Sequence, residues 1–462
     1  MNRQAFLIAG AILVIAGLGA GLIHVNGLAR VAAAYKAKAL CSEVFLAGRD
    51  RQAVLEDEFA GISPAVDRVG VRINDEQKFI DASLFGLGHA RVRFRGGFGC
   101  TIEAGGAPAP VRAPATPIAP QPWEEALHNP GAMAGRVDYA ALEAALDGAF
   151  ADETANTRAI LVAIDGKIVA ERYAPGFDAQ TPFLSWSMGK SVTASLVGAA
   201  ALKGYLDVND PAPVPEWRGD PARSAITWND LLRMQSGLAF DETYGDPSSD
   251  VSIALFRARE AGAVAAAKPL IHEPGAVWSY SSGTTNLVAR TLSQVLAARG
   301  IDYYAFAREA LFAPLGAASF VLEPDSAGNS IGSSYIYATA RDWARLGELY
   351  LGGGMWNGAR LLPEGWTDYA RAPTPASDGE YGAHFWLNLD GSSGRGRWVP
   401  GLPEDVYSMS GHEGQYVFVI PDKRAVVVRT GMTRAGVPIE IVGPTIAEIY
   451  RAIGDPPTDE PE

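Results

Sequence analysis

Two cysteines in 462 residues, Cys41 and Cys100, are too few for a disulfide-dense scaffold or a cysteine-ligated metal cluster. The histidines are as sparse. His24, His89, His128, His272, His384 and His412 are scattered, and His412-Glu413 lacks the second histidine of a His-Glu-x-x-His site. No metal is expected. No glycine-rich phosphate cradle and no dinucleotide fingerprint occurs, so no cofactor is expected either. Basic runs are also missing. The 39 Lys and Arg against 52 Asp and Glu leave a net charge of −13, which argues against a nucleic-acid partner.

Charge is absent from residues 5–23, nineteen in a row. That is about the length needed to span a bilayer, and it exceeds the ~7–15 apolar residues of a cleaved secretory signal. Arg3 precedes the run and Arg30, Lys36 and Lys38 follow it, so charge alone does not set its orientation. We expect residues 1–30 to be an uncleaved membrane anchor. Cleavage near Ala32-Ala33-Ala34 and a core helix at the terminus are the alternatives. Both cysteines lie beyond this run. One disulfide closing a long loop suits an exported segment, and two buried thiols are the alternative. The body is therefore expected on the extracytoplasmic, periplasmic side, or secreted if the segment is cleaved.

Composition divides what remains. Residues 31–103 read as a small module, in which 69–73 and 90–94 alternate as half-buried strands do, with no catalytic grouping. Residues 104–122 hold six prolines among alanines and glycines, the composition of a semi-rigid linker. Residues 454–462, acidic with three prolines, read as a disordered tail. The main domain is 123–453. It begins with a helical pattern over 137–150 and a hairpin, 159–164 and 167–173, turning at Asp165-Gly166. A second hairpin, 416–420 and 425–429, lies near its end. Strands at both ends with helices between them predict an α+β fold, a mostly antiparallel sheet flanked by helices plus a helical subdomain.

The strongest chemical signal is Phe183-Leu-Ser-Trp-Ser-Met-Gly-Lys-Ser191. It runs into a stretch of small and apolar residues at helical spacing, to Ala200. Ser187 stands where this helix begins, and Lys190 follows one turn later on the same face. A serine hydroxyl becomes a nucleophile when a base takes its proton. A lysine serves as that base once burial and the positive helix end lower its pKa. The Ser187 amide is placed to hold a developing oxyanion. Taken alone, Ser-x-x-Lys is equally an N-cap serine beside a solvated lysine.

Two later stretches complete a pattern, Trp278-Ser-Tyr-Ser-Ser282 and Ser410-Gly-His-Glu-Gly-Gln-Tyr416. In that order, over residues 137–453, the chain resembles the serine β-lactamase and penicillin-binding protein superfamily. Asp165-Gly-Lys167, Leu231-Leu-Arg-Met-Gln-Ser-Gly237 and Tyr335-Ile-Tyr-Ala-Thr-Ala-Arg-Asp342 fit it too. The resemblance implies that Ser187 is the nucleophile and that Lys190 and Tyr280 share the general-base role. Tyr280 would relay the proton to the leaving group, its phenolate favoured by the nearby lysine. The backbone amides of Ser187 and Gln415 would form the oxyanion hole. His412, Gly414 and Ser282 are expected at the substrate. Two departures count against a β-lactam or cell-wall peptide. Ser282 stands where the superfamily often has asparagine, and His412-Glu-Gly414 where many relatives have Lys-Thr-Gly.

Phe240-Asp-Glu-Thr-Tyr-Gly-Asp-Pro-Ser-Ser-Asp-Val251 is similar to 6-aminohexanoate-dimer hydrolases and their carboxylesterase relatives. That likeness implies a hydrogen bond from Tyr244 to the substrate amide nitrogen. The expected protein is a serine hydrolase that cleaves small amides or esters through an acyl-enzyme. The alternatives are a D-alanyl-D-alanine carboxypeptidase or β-lactamase on the same fold, and a non-catalytic, membrane-tethered binding or sensor module.

Overall fold

The computed structural model describes residues 3–457 apart from 113–117, 120–121, 124–126, 128–129 and 134; for residues 3–20, Pro130 and Ala132 it describes only the backbone. The chain opens with a long helix, α1 (Arg3–Cys41). The later part of α1 lies on an antiparallel four-stranded meander, β1 (Val69–Asn74), β2 (Phe79–Leu84), β3 (Leu87–Arg95) and β4 (Gly99–Ile102). Ala33, Ala34, Ala37 and Leu40 share one helical face and are fully buried, in one cluster with Ile80, Ala82, Ala90 and Val92 of the sheet. Cys41, at the end of α1, is disulfide-bonded to Cys100 on β4.

This N-terminal layer shares its core with the rest of the chain. Val251, Leu255, Phe256, Ile331 and Tyr335 belong to the same cluster. Buried Lys38 pairs with Glu323, which is fully buried. Glu323 Oε1 also accepts from Ser42 Oγ at 2.7 Å and from the Cys100 amide at 2.5 Å. A buried charge pair satisfied this completely is destabilising to break from either side.

Among the described residues no helix is long and apolar enough to cross a membrane. The expected anchor, 1–30, lies in the first part of α1, where only the backbone of residues 3–20 is described, and it finds no support in the fold. The expected linker is described in part. Its first residues run along the body, where Ala104 N donates to Ser326 Oγ at 2.8 Å and Ala109 N to the Ser326 carbonyl at 2.8 Å. Of the expected tail, 458–462 lie outside the described residues, and Asp455 pairs with Lys423 at 2.5 Å.

The main body is built on a six-stranded sheet. Helix α2 (Tyr139–Ala151) precedes the hairpin β5 (Thr157–Ile164) and β6 (Lys167–Tyr173). Asp165 and Gly166 take φ of 51° and 74°, the left-handed pair that a twist-matched two-residue turn requires. Then come α3 (Gly189–Leu202), α4 (Ser282–Ala297) and α5 (Ala340–Leu351). They are followed by β7 (Trp386–Leu387), β8 (Tyr407–Gly411), β9 (Gln415–Ile420), β10 (Ala425–Gly431) and α6 (Pro438–Ala452). The strand order is β7-β8-β9-β10-β5-β6, antiparallel throughout.

Helices cover both faces of this sheet, which is why β5, β9 and β10 carry apolar runs rather than a polar–apolar alternation. Leu161, Ala163, Val417, Val419, Val426 and Val428 join a core with residues of α3 and α5. Ile160, Val162, Phe418, Ile420 and Val427 join another with α2 and α6. Each such side chain contributes about 1.5–3 kcal/mol when fully buried. The expected α+β arrangement is the one observed.

Candidate active site

Ser187 is the middle residue of a single 3-10 turn, Trp186–Met188, that leads into α3. Trp186 takes φ of 44°, a left-handed conformation that costs a side-chain-bearing residue about 1–3 kcal/mol. Aromatic packing holds it there. Its ring stands edge-on to His412, 5.5 Å between centroids, and 6.0 Å from Tyr335. The strained turn leaves Ser187 half-buried while Lys190, one turn on, is 1% exposed.

Lys190 Nζ donates to Ser187 Oγ at 2.9 Å, to Ser282 Oγ at 3.0 Å and to the Ser333 carbonyl at 3.2 Å. It also lies 4.7 Å from the centre of the Tyr280 ring. Burial pushes its pKa down to about 8, with the Glu242 carboxylate pulling it back up. At pH 7 about a tenth of such a lysine is neutral and able to take a proton.

Tyr280 departs from the expected phenolate. Burial raises its pKa far above that of a free phenol, the Ser187 hydroxyl pulls the other way, and Glu242 adds to the rise. That direction favours the neutral phenol over the phenolate. Its ring is held edge-on to Tyr381 at 5.8 Å and tilted against Trp386 at 5.5 Å.

One residue of this site escaped the reading of the sequence. Glu242 Oε2 accepts from the Ser282 amide at 2.8 Å, and Oε1 accepts from Ser282 Oγ and from the Tyr244 hydroxyl, each at 2.5 Å. It stands two residues before Tyr244 in a stretch already singled out, and that spacing was its only signal. Ser282, expected at the substrate, is instead 1% exposed, its hydroxyl engaged by Lys190 and Glu242. Tyr244 is half-exposed, and its ring stacks on that of His412 at 5.7 Å and 21°. These two rings form one wall beside Ser187.

The end of β8 closes against the Ser187 turn. A Cβ on Gly411 would lie 2.2 Å from the Ser185 carbonyl oxygen and 3.2 Å from the Ser187 amide nitrogen, so only glycine lets the strand pass here. The turn His412–Gly414, with Glu413 at φ 59°, carries the chain to Gln415, which pairs opposite Gly411. Gln415 fixes its side chain on Gly431, Nε2 donating to the carbonyl at 2.5 Å and Oε1 accepting from the amide at 3.2 Å. Its backbone is the part left to serve the site. Gly414 is buried, and its carbonyl accepts from Arg429 Nη1 at 2.7 Å. The fold thus gathers Ser187, Lys190 and Tyr280 around one hydroxyl. A nucleophile beside a buried amine of lowered pKa and a neutral phenol suits acyl transfer.

Residues 142–436 match the family described as Beta-lactamase. The 6-aminohexanoate-dimer hydrolase of Paenarthrobacter ureafaciens is 28% identical over 288 residues, covering 59% of this chain and 72% of that protein. A penicillin-binding protein homolog from Caulobacter crescentus superposes with a TM-score of 0.52 at 19% identity, covering 68% of this chain and 97% of its own. A family VIII carboxylesterase superposes with a TM-score of 0.51 at 16% identity, covering 68% and 97%. The two superpositions are likenesses of fold.

Proposed function

The chain belongs to the beta-lactamase family, and on that premise we propose a serine hydrolase that cleaves amides or esters through an acyl-enzyme on Ser187. The single observation that carries the reading is the 2.9 Å contact between Ser187 Oγ and a buried Lys190 whose pKa is brought to about 8. The 6-aminohexanoate-dimer hydrolase and carboxylesterase relatives support the class of bond cleaved. Neutral Lys190 takes the hydroxyl proton as Oγ attacks the carbonyl carbon. The Ser187 amide and the Gln415 amide hold the oxyanion. Tyr280 donates its proton to the leaving nitrogen or oxygen and is reprotonated from Lys190. Water then attacks the acyl-serine by the same route in reverse. Tyr244 and His412 bound the substrate beside Ser187.

The N-terminal run 5–23 completes the proposal as a membrane tether, with the hydrolase on the extracytoplasmic side. The apolar length of that run and the Cys41–Cys100 disulfide support this placement.

Hydrolysis of p-nitrophenyl acetate and of an aminohexanoate dimer by the full chain, with benzylpenicillin as comparator, tests the reading. Turnover of ester or amide is expected. Lasting penicillin acylation without turnover of either would favour a penicillin-binding role, and no reaction with any of the three a non-catalytic one.

A further inference from the structure

Ser187 lies on the wall of a cavity of about 750 Å³, inside the range for small-molecule sites. Most of the remaining wall is apolar and comes from parts of the chain outside the residues matched to the family. Leu28 and Ala32 of α1 contribute, as do Val66 and Leu84, and Leu255 and Phe256 from the main body close the far side. Among the described residues no Asp, Glu, Lys or Arg lines it. Val25 and Phe85 also line it and are 50% and 79% exposed, so the cavity opens to solvent between α1 and the β2–β3 turn.

The lining disfavours one class of substrate. A short amide whose acyl half carries a free ammonium would bring that charge to a wall without a counter-ion, and uncompensated burial of charge is unfavourable. An alkyl chain meets no such penalty. The lining also fixes which half of the substrate enters. Ser187, Trp186, Tyr244, Ser334 and His412 border the cavity, while Tyr280, the proton donor to the leaving group, does not. The leaving group is thus directed toward Tyr280 and away from the cavity. The part of the substrate in the cavity is therefore the part that stays on Ser187.

We propose that this cavity is an acyl-chain site and that the preferred substrates are esters or amides of medium- to long-chain fatty acids. The N-terminal helix supplies the chain-binding wall. This rests on the serine-hydrolase reading and adds the substrate class to it.

The test uses the full chain with p-nitrophenyl acetate, butyrate, octanoate and decanoate, and in parallel acetate esters of alcohols of matching lengths. The expected result is a kcat/KM that climbs at least tenfold from acetate to octanoate along the acyl series. The ceiling is about fourfold per methylene, the equivalent of ~0.8 kcal/mol. Ala32→Trp, which fills the cavity, should lower the octanoate-to-acetate ratio about tenfold. Val25→Trp, at the half-exposed mouth where folding tolerates bulk, should lower it in the same direction. A flat acyl profile with Ser187-dependent acetate turnover would overturn the acyl site and leave the hydrolase standing. A rise along the alcohol series alone would overturn the assignment to the acyl half. Unchanged ratios in both folded variants would overturn the location. No turnover of any ester and no acyl adduct would remove the hydrolase reading, and the acyl site with it.

Discussion

Glu242 and Lys190 are joined through one hydroxyl: Ser282 Oγ accepts from Lys190 Nζ at 3.0 Å and donates to Glu242 Oε1 at 2.5 Å. Burial drives the lysine toward its neutral form, and the carboxylate holds it back. The base must be neutral to act, so kcat/KM for an ester should rise with pH through a group near 8. Glu242→Gln removes the opposing charge and should move that rising limb to lower pH. Ester pH profiles of the two proteins decide it, and a limb that stays in place would mean that Glu242 does not act on the lysine.

Gly411 is predicted to be intolerant of any side chain, because its Cβ would meet the Ser185 carbonyl at 2.2 Å. Relief of that clash must move β8 or the Ser187 turn, and with either the oxyanion donors. Gly411→Ala should lower kcat by about 10²–10³-fold, the scale of losing one such donor, with a smaller change in KM. Steady-state kinetics on the folded variant check this.

That dependence was only half visible in the sequence. Ser187 and Lys190 are one helical turn apart, so local periodicity sufficed to pair them. The strands β5, β9 and β10 were legible because both of their faces are buried and each carries an apolar run, 159–164, 416–420 and 425–428. β2 was missed because Phe79, an apolar residue on the same face as Asp81 and Ser83, breaks its alternation, and β4 because its four residues, all buried, are too few to show a period. Glu242 reaches Ser282 across 40 positions, a pairing that no local pattern encodes. The acyl cavity is assembled from α1, the N-terminal sheet and the segment after Tyr244, so it has no signature in any one stretch. The burial that raises the Tyr280 pKa was illegible for a related reason, since it is set by Tyr381 and Trp386, both remote in sequence.

Glu348, on α5 and 9% exposed, has its pKa raised to about 8, first by burial and then by Asp165, with Arg424 opposing. Between its ordinary value of 4.5 and about 8 the folded protein binds this proton more tightly than the unfolded chain does. Stability therefore falls as pH rises through that window, by up to about 5 kcal/mol for an isolated group. Glu348→Gln should raise the unfolding midpoint at pH 8, and most of that gain should disappear at pH 5. An equal effect at both pH values in thermal melts would contradict the linkage.

The Cys41–Cys100 disulfide spans 59 positions and ties the end of α1 to β4. Closing a loop of that length is worth about 4 kcal/mol on the chain-entropy estimate. Reductant, or the Cys41→Ser/Cys100→Ser double variant, should lower Tm by several degrees. It should also weaken turnover of long acyl esters more than of acetate, because α1 forms the cavity wall. Melting curves and ester kinetics with and without reductant check both parts.

The central claim is an acyl-enzyme on Ser187. The most direct measurement is intact mass after rapid acid quench of the full chain with a p-nitrophenyl ester, followed by peptide mapping, for wild type and Ser187→Ala. The account predicts a single added acyl group on the peptide that contains Ser187, absent from the variant, whose ester turnover falls to background. Acylation of another residue, or turnover that survives Ser187→Ala in the folded protein, would contradict it.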